Sequence, residues 1–301
     1  MRKHFVETVL SLMSSDKEIV LLTADLGFGS FEVISEKFPG RYYNVGIAEQ
    51  NMVGMACGLS LQGKKVIIYS IANFTTLRVV EQIRNYLLYH SCQVLIVNGG
   101  GGFSYGQLGY THYGTEDVTV MMALQEMEVY APFNQITIEN SIREWHAGGK
   151  TAYLRLEKND IQIEGQIRYF SGFALVGDDN AKNIAIGYGS ICETLISAQK
   201  KLADASNLSL KLILLYRLKN TQDYYELLRN CNKLLIVEEN SRQGGLGVNI
   251  LAGCMLRSIS PRECNHLGIL DTICPTIGDQ NYMRAWHKMS CQDILAYFNA
   301  E

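Results

Sequence analysis

Short apolar runs alternate with amphipathic stretches, and this alternation limits the possible fold more than any other feature of the 301 residues. In the first half, apolar runs of strand length are separated by longer patterns with helical periodicity. The runs lie at 19–22, 66–69, 94–97 and 152–156, and the helical patterns at about 3–13, 48–62, 75–90, 116–125 and 138–148. The alternation predicts an α/β fold with right-handed crossovers and a mainly parallel sheet.

The pattern weakens from about 159 to 179 and then resumes, and the length of the chain favours two domains. The later apolar runs lie at 184–186, 210–215 and 234–237, between helical patterns at 190–205, 221–230, 246–258 and near 280–298. We therefore expect two domains, each with a mainly parallel sheet flanked by helices. Their predicted bounds are 1–165 and 181–301, joined by a linker at 166–180.

Charge and cysteine usage argue against several classes of function. The net charge is −3 and the basic residues form no stripe or tail, so we expect no nucleic-acid partner. No apolar run reaches the length of a membrane span, and the N-terminal residues lack the apolar core of a signal peptide. The eight cysteines form no C-x-x-C pair, which predicts reduced thiols in a cytoplasmic protein. We expect no metal bound by this chain, because Cys264 and His266 lack a second ligand pair at zinc spacing.

One carboxylate stands in an apolar segment rich in small residues. Glu49 lies within 44–58 (NVGIAEQNMVGMACG), among valine, isoleucine, methionine, glycine and alanine. Burial disfavours the charged form of a lone acid unless a partner meets it, and a carboxyl tuned in this way can exchange a proton near neutral pH. The helical pattern from Ala48 onward also fits an ordinary first-turn acid stabilised by the helix dipole. The residues alone leave both interpretations open.

The same segment resembles the core signature of the pyrimidine-binding domain of transketolases. The resemblance continues, in order, over nearly the whole chain. Its further matches are EQIRN at 81–85, TH at 111–112, ED at 116–117, EEN at 238–240 and GGLG at 244–247. It implies that Glu49 hydrogen-bonds the aminopyrimidine ring of thiamine diphosphate. It also implies that the second domain is similar to the transketolase C-terminal domain.

The resemblance assigns roles to other residues as well. Asp25 would lie near the cofactor, and Phe74 would pack on the aminopyrimidine ring, with Ile71 close to the place of a second aromatic residue. His112 would contact the substrate and, with Glu49, serve as a catalytic residue. Ordinary loop or core packing is the alternative interpretation for Asp25, Phe74 and His112.

The expected substrate contacts depart from the transketolase pattern. Gln107 and Leu108 occupy the place of an acidic pair in the family. An arginine that grips the sugar phosphate falls near Glu157 or Lys158 in this chain. Of the family's phosphate ligands, only Arg2 is kept.

These departures predict a non-standard acceptor. Each charged hydrogen bond to a phosphate is worth about 1.5–3 kcal/mol, so losing several would weaken the binding of an ordinary pentose phosphate. The four consecutive glycines at 99–102 are expected to widen the pocket. We therefore expect a larger or differently charged sugar, such as a nucleotide-linked one, contacting Arg2, Gln107, Leu108 and His112.

The resemblance implies a partner chain. A complete transketolase binds the diphosphate and Mg²⁺ through a Gly-Asp-Gly segment followed by an asparagine, and this pattern does not occur here. We expect this chain to be the C-terminal subunit of a split transketolase, active only with an N-terminal subunit that supplies the diphosphate and most of the Mg²⁺ site. Paired interfaces of this kind suggest an α2β2 assembly.

Three alternatives stay open at this point. The same signature occurs in the β subunit of 2-oxo-acid dehydrogenases and in deoxyxylulose-phosphate-synthase-like carboligases. The matches at 81–84 and 111–112 favour a transketolase, whereas Leu108 weakens that preference. A non-catalytic regulatory subunit is the alternative of another class, and the retained Glu49 and His112 argue against it.

Overall fold

The computed structural model describes residues 1–206 and 208–300. The first of its two six-stranded sheets is built from residues 19–156. Its strands are β1 (Ile19–Thr23), β2 (Tyr42–Asn44), β3 (Lys65–Ile71), β4 (Val94–Gly99), β5 (Glu128–Tyr130) and β6 (Ala152–Leu156). They are ordered β2-β1-β3-β4-β6-β5, and every neighbouring pair is parallel. This sheet confirms the predicted α/β class.

The second sheet is also mainly parallel. Its strands are β7 (Ile167–Phe170), β8 (Phe173–Val176), β9 (Asn183–Tyr188), β10 (Leu210–Leu215), β11 (Lys233–Ser241) and β12 (Glu263–Ile269). They are ordered β12-β11-β9-β10-β8-β7, and β8 is antiparallel to both of its neighbours. The β7–β8 hairpin occupies most of 166–180, so the stretch that we expected to be a linker is the edge of this sheet. The domain bounds themselves stay predictions.

The helices lie between the strands. They are α1 (Arg2–Ser15), α2 (Glu32–Lys37), α3 (Glu49–Leu61), α4 (Val80–Gln82), α5 (Asp117–Ala123), α6 (Gln135–Gly148), α7 (Ile191–Ser206), α8 (Leu246–Leu256), α9 (Gln280–Trp286) and α10 (Cys291–Asn299). The segment near 280–298 is two helices because Ser290 begins a new helix with a capping box. Within the described residues, no helix is long and apolar enough to cross a membrane.

The other differences from expectation are local. The stretch 75–90 is not one α-helix, because a 3₁₀ turn, Leu77–Val79, and a π-helical segment, Ile83–Leu88, flank the short α4. The stretch 221–230 contains a 3₁₀ helix, Asp223–Leu228. Five strands were not predicted: β2, β5, β7, β8 and β12. Four of these, β2, β5, β7 and β8, are only three or four residues long, and β2, β7 and β12 keep exposed residues, so they lack the long apolar run that marks a central strand.

The topology brings the predicted site residues to one edge of the first sheet. Because its strands are parallel, the segments that follow β1, β2, β3 and β4 all leave from the same edge. The chain continues from β1 to β2 on one side and returns to β3 on the other, which makes this edge a topological switch point, the place where open α/β sheets bind ligands. One apolar cluster includes Ile68 and Tyr153 of the first sheet and Ile186 and Ile236 of the second, so the two sheets share a core.

Candidate active site

Glu49 is the first residue of α3, lies soon after β2, and is only 4% exposed. Its carboxylate has a specific partner, since Arg78 Nη1 donates a hydrogen bond to Glu49 Oε1 at 2.9 Å. Arg78 lies in the turn after β3, with 43% of its side chain exposed. Glu49 is therefore a buried acid in the first turn of α3, paired with a cation that water can reach.

Arg78 also joins Glu49 to the two predicted aromatic residues. Its guanidinium carbon lies 3.9 Å from the centroid of the Phe74 ring, within the range of a cation–π contact. Phe74 in turn meets the His112 imidazole edge-on, with 5.9 Å between the ring centroids. The structure thus places Glu49, Phe74 and His112 in one cluster, with Arg78 at its centre. Arg78 was not predicted from the sequence; the signal that points to it is that a buried carboxylate requires a cation from a neighbouring loop.

The loops after β1 and β2 are tied together by an amide. Asn44 Oδ1 accepts hydrogen bonds from the backbone N–H of Asp25 at 2.9 Å and of Gly46 at 3.0 Å, and Asn44 Nδ2 donates to Asp25 Oδ1 at 3.2 Å. Asp25 has a φ of 53°, a left-handed conformation that costs a non-glycine residue free energy and is enriched at functional sites. Asn44 therefore fixes Asp25 next to the start of α3. Ile71, the other predicted cofactor contact, ends β3 and is half-buried.

A cationic cavity opens at the ends of β3, β4 and β6. It has a volume of about 310 Å³, and Arg2, Tyr69, Tyr105 and Lys158 are among its lining residues. Lys158 Nζ lies 4.2 Å from the centroid of the Tyr105 ring. Burial and the charge of Arg2 lower the pKa of Lys158, and burial raises the pKa of the Tyr69 phenol to about 12. Glu157 also lines the cavity, which therefore combines two cations and a neutral phenol with one acid, and the excess of cations favours an anionic group.

The expectation that the glycine run widens this cavity was wrong. A Cβ atom on any of these four residues would collide with a side chain that already fills the space. The colliding side chains are Tyr69 at Gly99, Tyr105 at Gly100, Arg155 at Gly101, and both Arg155 and Glu239 at Gly102. The missing side chains are thus replaced by others from elsewhere in the chain, and the run is a packing requirement.

A network of buried charges lies beneath the glycine run. Arg155, fully buried on β6, is 3.5 Å from Asp117 and 3.4 Å from Glu157. It also donates to the backbone oxygen of Glu239 at 2.9 Å, and the Glu239 carboxylate pairs with Arg284. Burial raises the pKa of Glu157 to about 7, because the nearby Arg155 only partly offsets the loss of hydration. The network couples the first sheet to the C-terminal half of the chain.

Gln107 and Leu108 lie in a 3₁₀ turn of the loop that carries His112, and both are exposed. Two exposed apolar side chains lie in the loops of this edge: Ile47, two residues before Glu49, is 80% exposed, and Phe28, in the loop after β1, is 70% exposed. Large exposed apolar residues beside a polar site are typical of an interaction surface. The predicted site residues therefore fall into three groups: the Glu49 cluster with Asp25 nearby, Arg2 in the cationic cavity, and the exposed pair at the loop tip.

Known proteins resemble this chain in sequence and in fold. The family described as "Transketolase, pyrimidine binding domain" matches residues 1–163. The putative transketolase C-terminal section of Methanocaldococcus jannaschii is 31% identical over 255 residues, which are 82% of this chain and 79% of that protein. One subunit of the apulose-4-phosphate transketolase of Actinobacillus succinogenes is 26% identical over 294 residues, 96% and 94% of the two chains. A solved structure described as "Split gene transketolase, inactive beta4 tetramer" has a TM-score of 0.82 at 25% identity, covering 98% of this chain and 95% of its own.

Proposed function

This chain belongs to the transketolase family, and from that premise we propose that it is the C-terminal subunit of a thiamine-diphosphate-dependent enzyme that transfers a two-carbon unit to an aldehyde acceptor. The observation that carries the proposal is the cluster of Glu49, Arg78, Phe74 and His112 at the switch-point edge of the first sheet. It combines a buried acid, an aromatic face and an imidazole in one place. These are the groups that the family's cofactor and substrate would require.

The residues present fit the aminopyrimidine part of thiamine diphosphate. Glu49 offers a carboxylate oxygen to a ring nitrogen, and the Phe74 ring offers a flat apolar surface, a contact worth about 1 kcal/mol. Ile71 ends β3, and Asp25 lies in the loop after β1. From these positions they would contact the ring from its sides. When bound, thiamine diphosphate supplies the electron sink for breaking a carbon–carbon bond beside a carbonyl group.

The chain's own groups would orient the substrate and move protons. Glu49 would hold a proton at its carboxylate and exchange it with the bound ring, while Arg78 fixes Oε1. His112 would contact a substrate hydroxyl, since an imidazole can both donate and accept a hydrogen bond. Its Nδ1 is 3.0 Å from Thr111 Oγ1, a contact that favours one ring orientation.

We infer that a partner subunit completes the site and supplies the diphosphate and Mg²⁺ half. Two observations support this inference: Ile47 and Phe28 are exposed in the loops after β2 and β1, and a relative that aligns over 96% of this chain is named as one subunit of a transketolase. Burying those side chains at an interface would also exclude water from Glu49. An α2β2 assembly would give each Glu49 a partner surface.

The cationic cavity favours an anionic acceptor. Arg2 and Lys158 are two exposed cations that line one cavity, in which Glu157 is the acid, so the excess of positive charge would attract an anion. A phosphate-bearing sugar, free or nucleotide-linked, fits this charge, and one relative is named for apulose 4-phosphate. Because Gln107 and Leu108 replace acidic residues at the loop tip, we propose an acceptor other than an ordinary pentose phosphate.

Calorimetric titration of thiamine diphosphate and Mg²⁺ tests the proposal, with this chain alone and mixed with a candidate N-terminal subunit. Tight binding only in the mixture supports a shared site, and a screen of ketose donors with phosphorylated aldehydes follows. Efficient transfer from xylulose 5-phosphate to ribose 5-phosphate would contradict the non-standard acceptor. A preference for pyruvate as donor would favour the dehydrogenase or carboligase alternatives.

A further inference from the structure

The loop that carries His112 is anchored to the C-terminal half of the chain. The loop follows β4, and two backbone hydrogen bonds between Gly102 and Gly114, 2.8 and 2.9 Å long, join its two ends. Immediately after Gly102, the backbone N–H of Phe103 donates to Glu239 Oε2 at 2.9 Å. The first residue of the loop body is therefore bonded to a side chain that lies 136 positions later in the sequence.

Glu239 is itself fixed from the other side. It lies on β11, two residues after the apolar run 234–237, and is 2% exposed. Two side chains of α9 hold its carboxylate: Arg284 forms an ion pair with it, and Gln280 Nε2 donates to both of its oxygens at 3.0–3.1 Å. A carboxylate held in this way offers a rigid acceptor to Phe103, because Arg284 is buried, Gln280 is half-buried and the carboxylate itself has little access to water.

Apolar contacts hold the same loop from the same side. The Phe103 ring stacks on the His287 imidazole with 5.3 Å between centroids and 14° between planes. Burial lowers the pKa of His287 to about 4, so the stacked ring is neutral near pH 7. Tyr113 donates to the backbone oxygen of Gly106 at 3.3 Å and contacts Met283 of α9. The loop thus rests on α9 through hydrogen bonds and ring contacts together.

The neighbouring residue, Glu238, binds a different segment of the chain. Glu238 accepts hydrogen bonds from the backbone N–H groups of Leu246 and Gly247 at 3.0 and 2.8 Å, and so caps the N-terminus of α8. It also bonds Tyr188 and His266, each at 2.8 Å. Two neighbouring buried glutamates therefore serve two separate segments, one the loop and the other a helix.

We propose that Glu239 is a positioning residue, through which the C-terminal half of the chain holds the loop 103–113 and keeps His112 against Phe74. The proposal rests on the proposed function, in which His112 contacts the substrate. Glu49 and Phe74 come from other loops of the first sheet, so a loosened loop would move the substrate contact while the cofactor contacts stay in place. A displacement of about 1 Å at such a contact can lower the rate by about 10²-fold.

Hydrogen exchange in the full-length chain tests the anchoring without cofactor or partner. In E239A, peptides that cover 103–113 are expected to exchange at least about tenfold faster, because the local opening free energy falls. E238Q is the matched control: the start of α8 should exchange faster while the loop keeps its protection. E239Q keeps an acceptor for Phe103 but loses the charge that pairs with Arg284, so its loop should exchange at an intermediate rate. Wild-type protection of the loop in E239A, or equal loosening in E238Q, would overturn the proposal.

Kinetics of the reconstituted complex provide the second readout. E239A should lower kcat/KM for the acceptor by about 10–100-fold and leave the Kd for thiamine diphosphate within about twofold of wild type. E239Q should recover part of the loss. A parallel loss of cofactor affinity would overturn the positioning role, because it would indicate general unfolding. If the wild-type complex shows no transfer, the proposed function fails, whereas the exchange experiment still decides whether Glu239 holds the loop.

Discussion

Glu49 and Glu239 are buried to nearly the same extent but are held in opposite ways. Glu49, 4% exposed, is paired with a guanidinium whose side chain is 43% exposed. Glu239, 2% exposed, is enclosed by a backbone amide, Gln280 and the buried Arg284. Burial alone therefore does not identify a catalytic carboxylate. The difference lies in the partner, since a solvent-accessible partner can be rearranged by a ligand whereas an enclosed set of donors holds its geometry.

Replacing Glu49 should have the largest effect on function and little effect on folding. E49Q keeps the size of the side chain but removes the carboxylate that we propose exchanges the proton, so turnover of the reconstituted complex should fall by about 10²–10⁴-fold. Thermal unfolding of the chain alone, followed by circular dichroism, should stay close to wild type. Retained turnover in E49Q would support the non-catalytic subunit instead.

Breaking the enclosed pair should have the largest effect on stability. R284A leaves Glu239 as a buried, unpaired charge, which is expected to cost about 3–5 kcal/mol of unfolding free energy. R78A should cost about 1 kcal/mol, because water can replace a guanidinium that is already half exposed. Urea denaturation of both variants measures the contrast. Equal losses would mean that the two carboxylates are held alike.

The sequence predicts the strands and several of the site residues, but not the side-chain pairs that join distant segments. Alternating apolar runs predict the central strands, and the apolar segment around Glu49 and the family motifs predict the residues that Arg78 brings together. Arg78 and Glu49 are 29 positions apart, and Arg155 and Glu239 are 84 apart, so no local periodicity connects them. The glycine run was misjudged for the same reason, because the side chains that fill its space come from distant segments.

The pH dependence of the unfolding free energy should show how Glu157, in the buried charge network around Arg155, ionises in the folded chain. Burial raises its pKa in the folded chain from 4.5 to about 7, so the folded state keeps a proton that the unfolded state has lost. Stability should therefore fall as the pH rises from about 4.5 through about 7, by roughly 1–3 kcal/mol. E157Q, which cannot ionise, should flatten this dependence in urea titrations between pH 5 and 8. Parallel curves for the two proteins would show that Glu157 ionises as in the unfolded chain.

The smallest expected effect concerns Arg78, the solvent-accessible partner of Glu49. R78M keeps the length of the side chain but loses both its hydrogen bond to Glu49 and its charge above Phe74, so thiamine diphosphate should bind the complex about tenfold more weakly. R78K keeps the charge without the flat guanidinium and should lie between R78M and wild type. R168M is the control, since Arg168 pairs with Asp179 at the exposed edge of the second sheet. Tighter binding by R78M would mean that Arg78 occupies the cofactor's place in the free chain. In that case Arg78 would cover Glu49 until the cofactor displaces it. Glu49 and Glu239 would then differ only in whether a ligand can reach them.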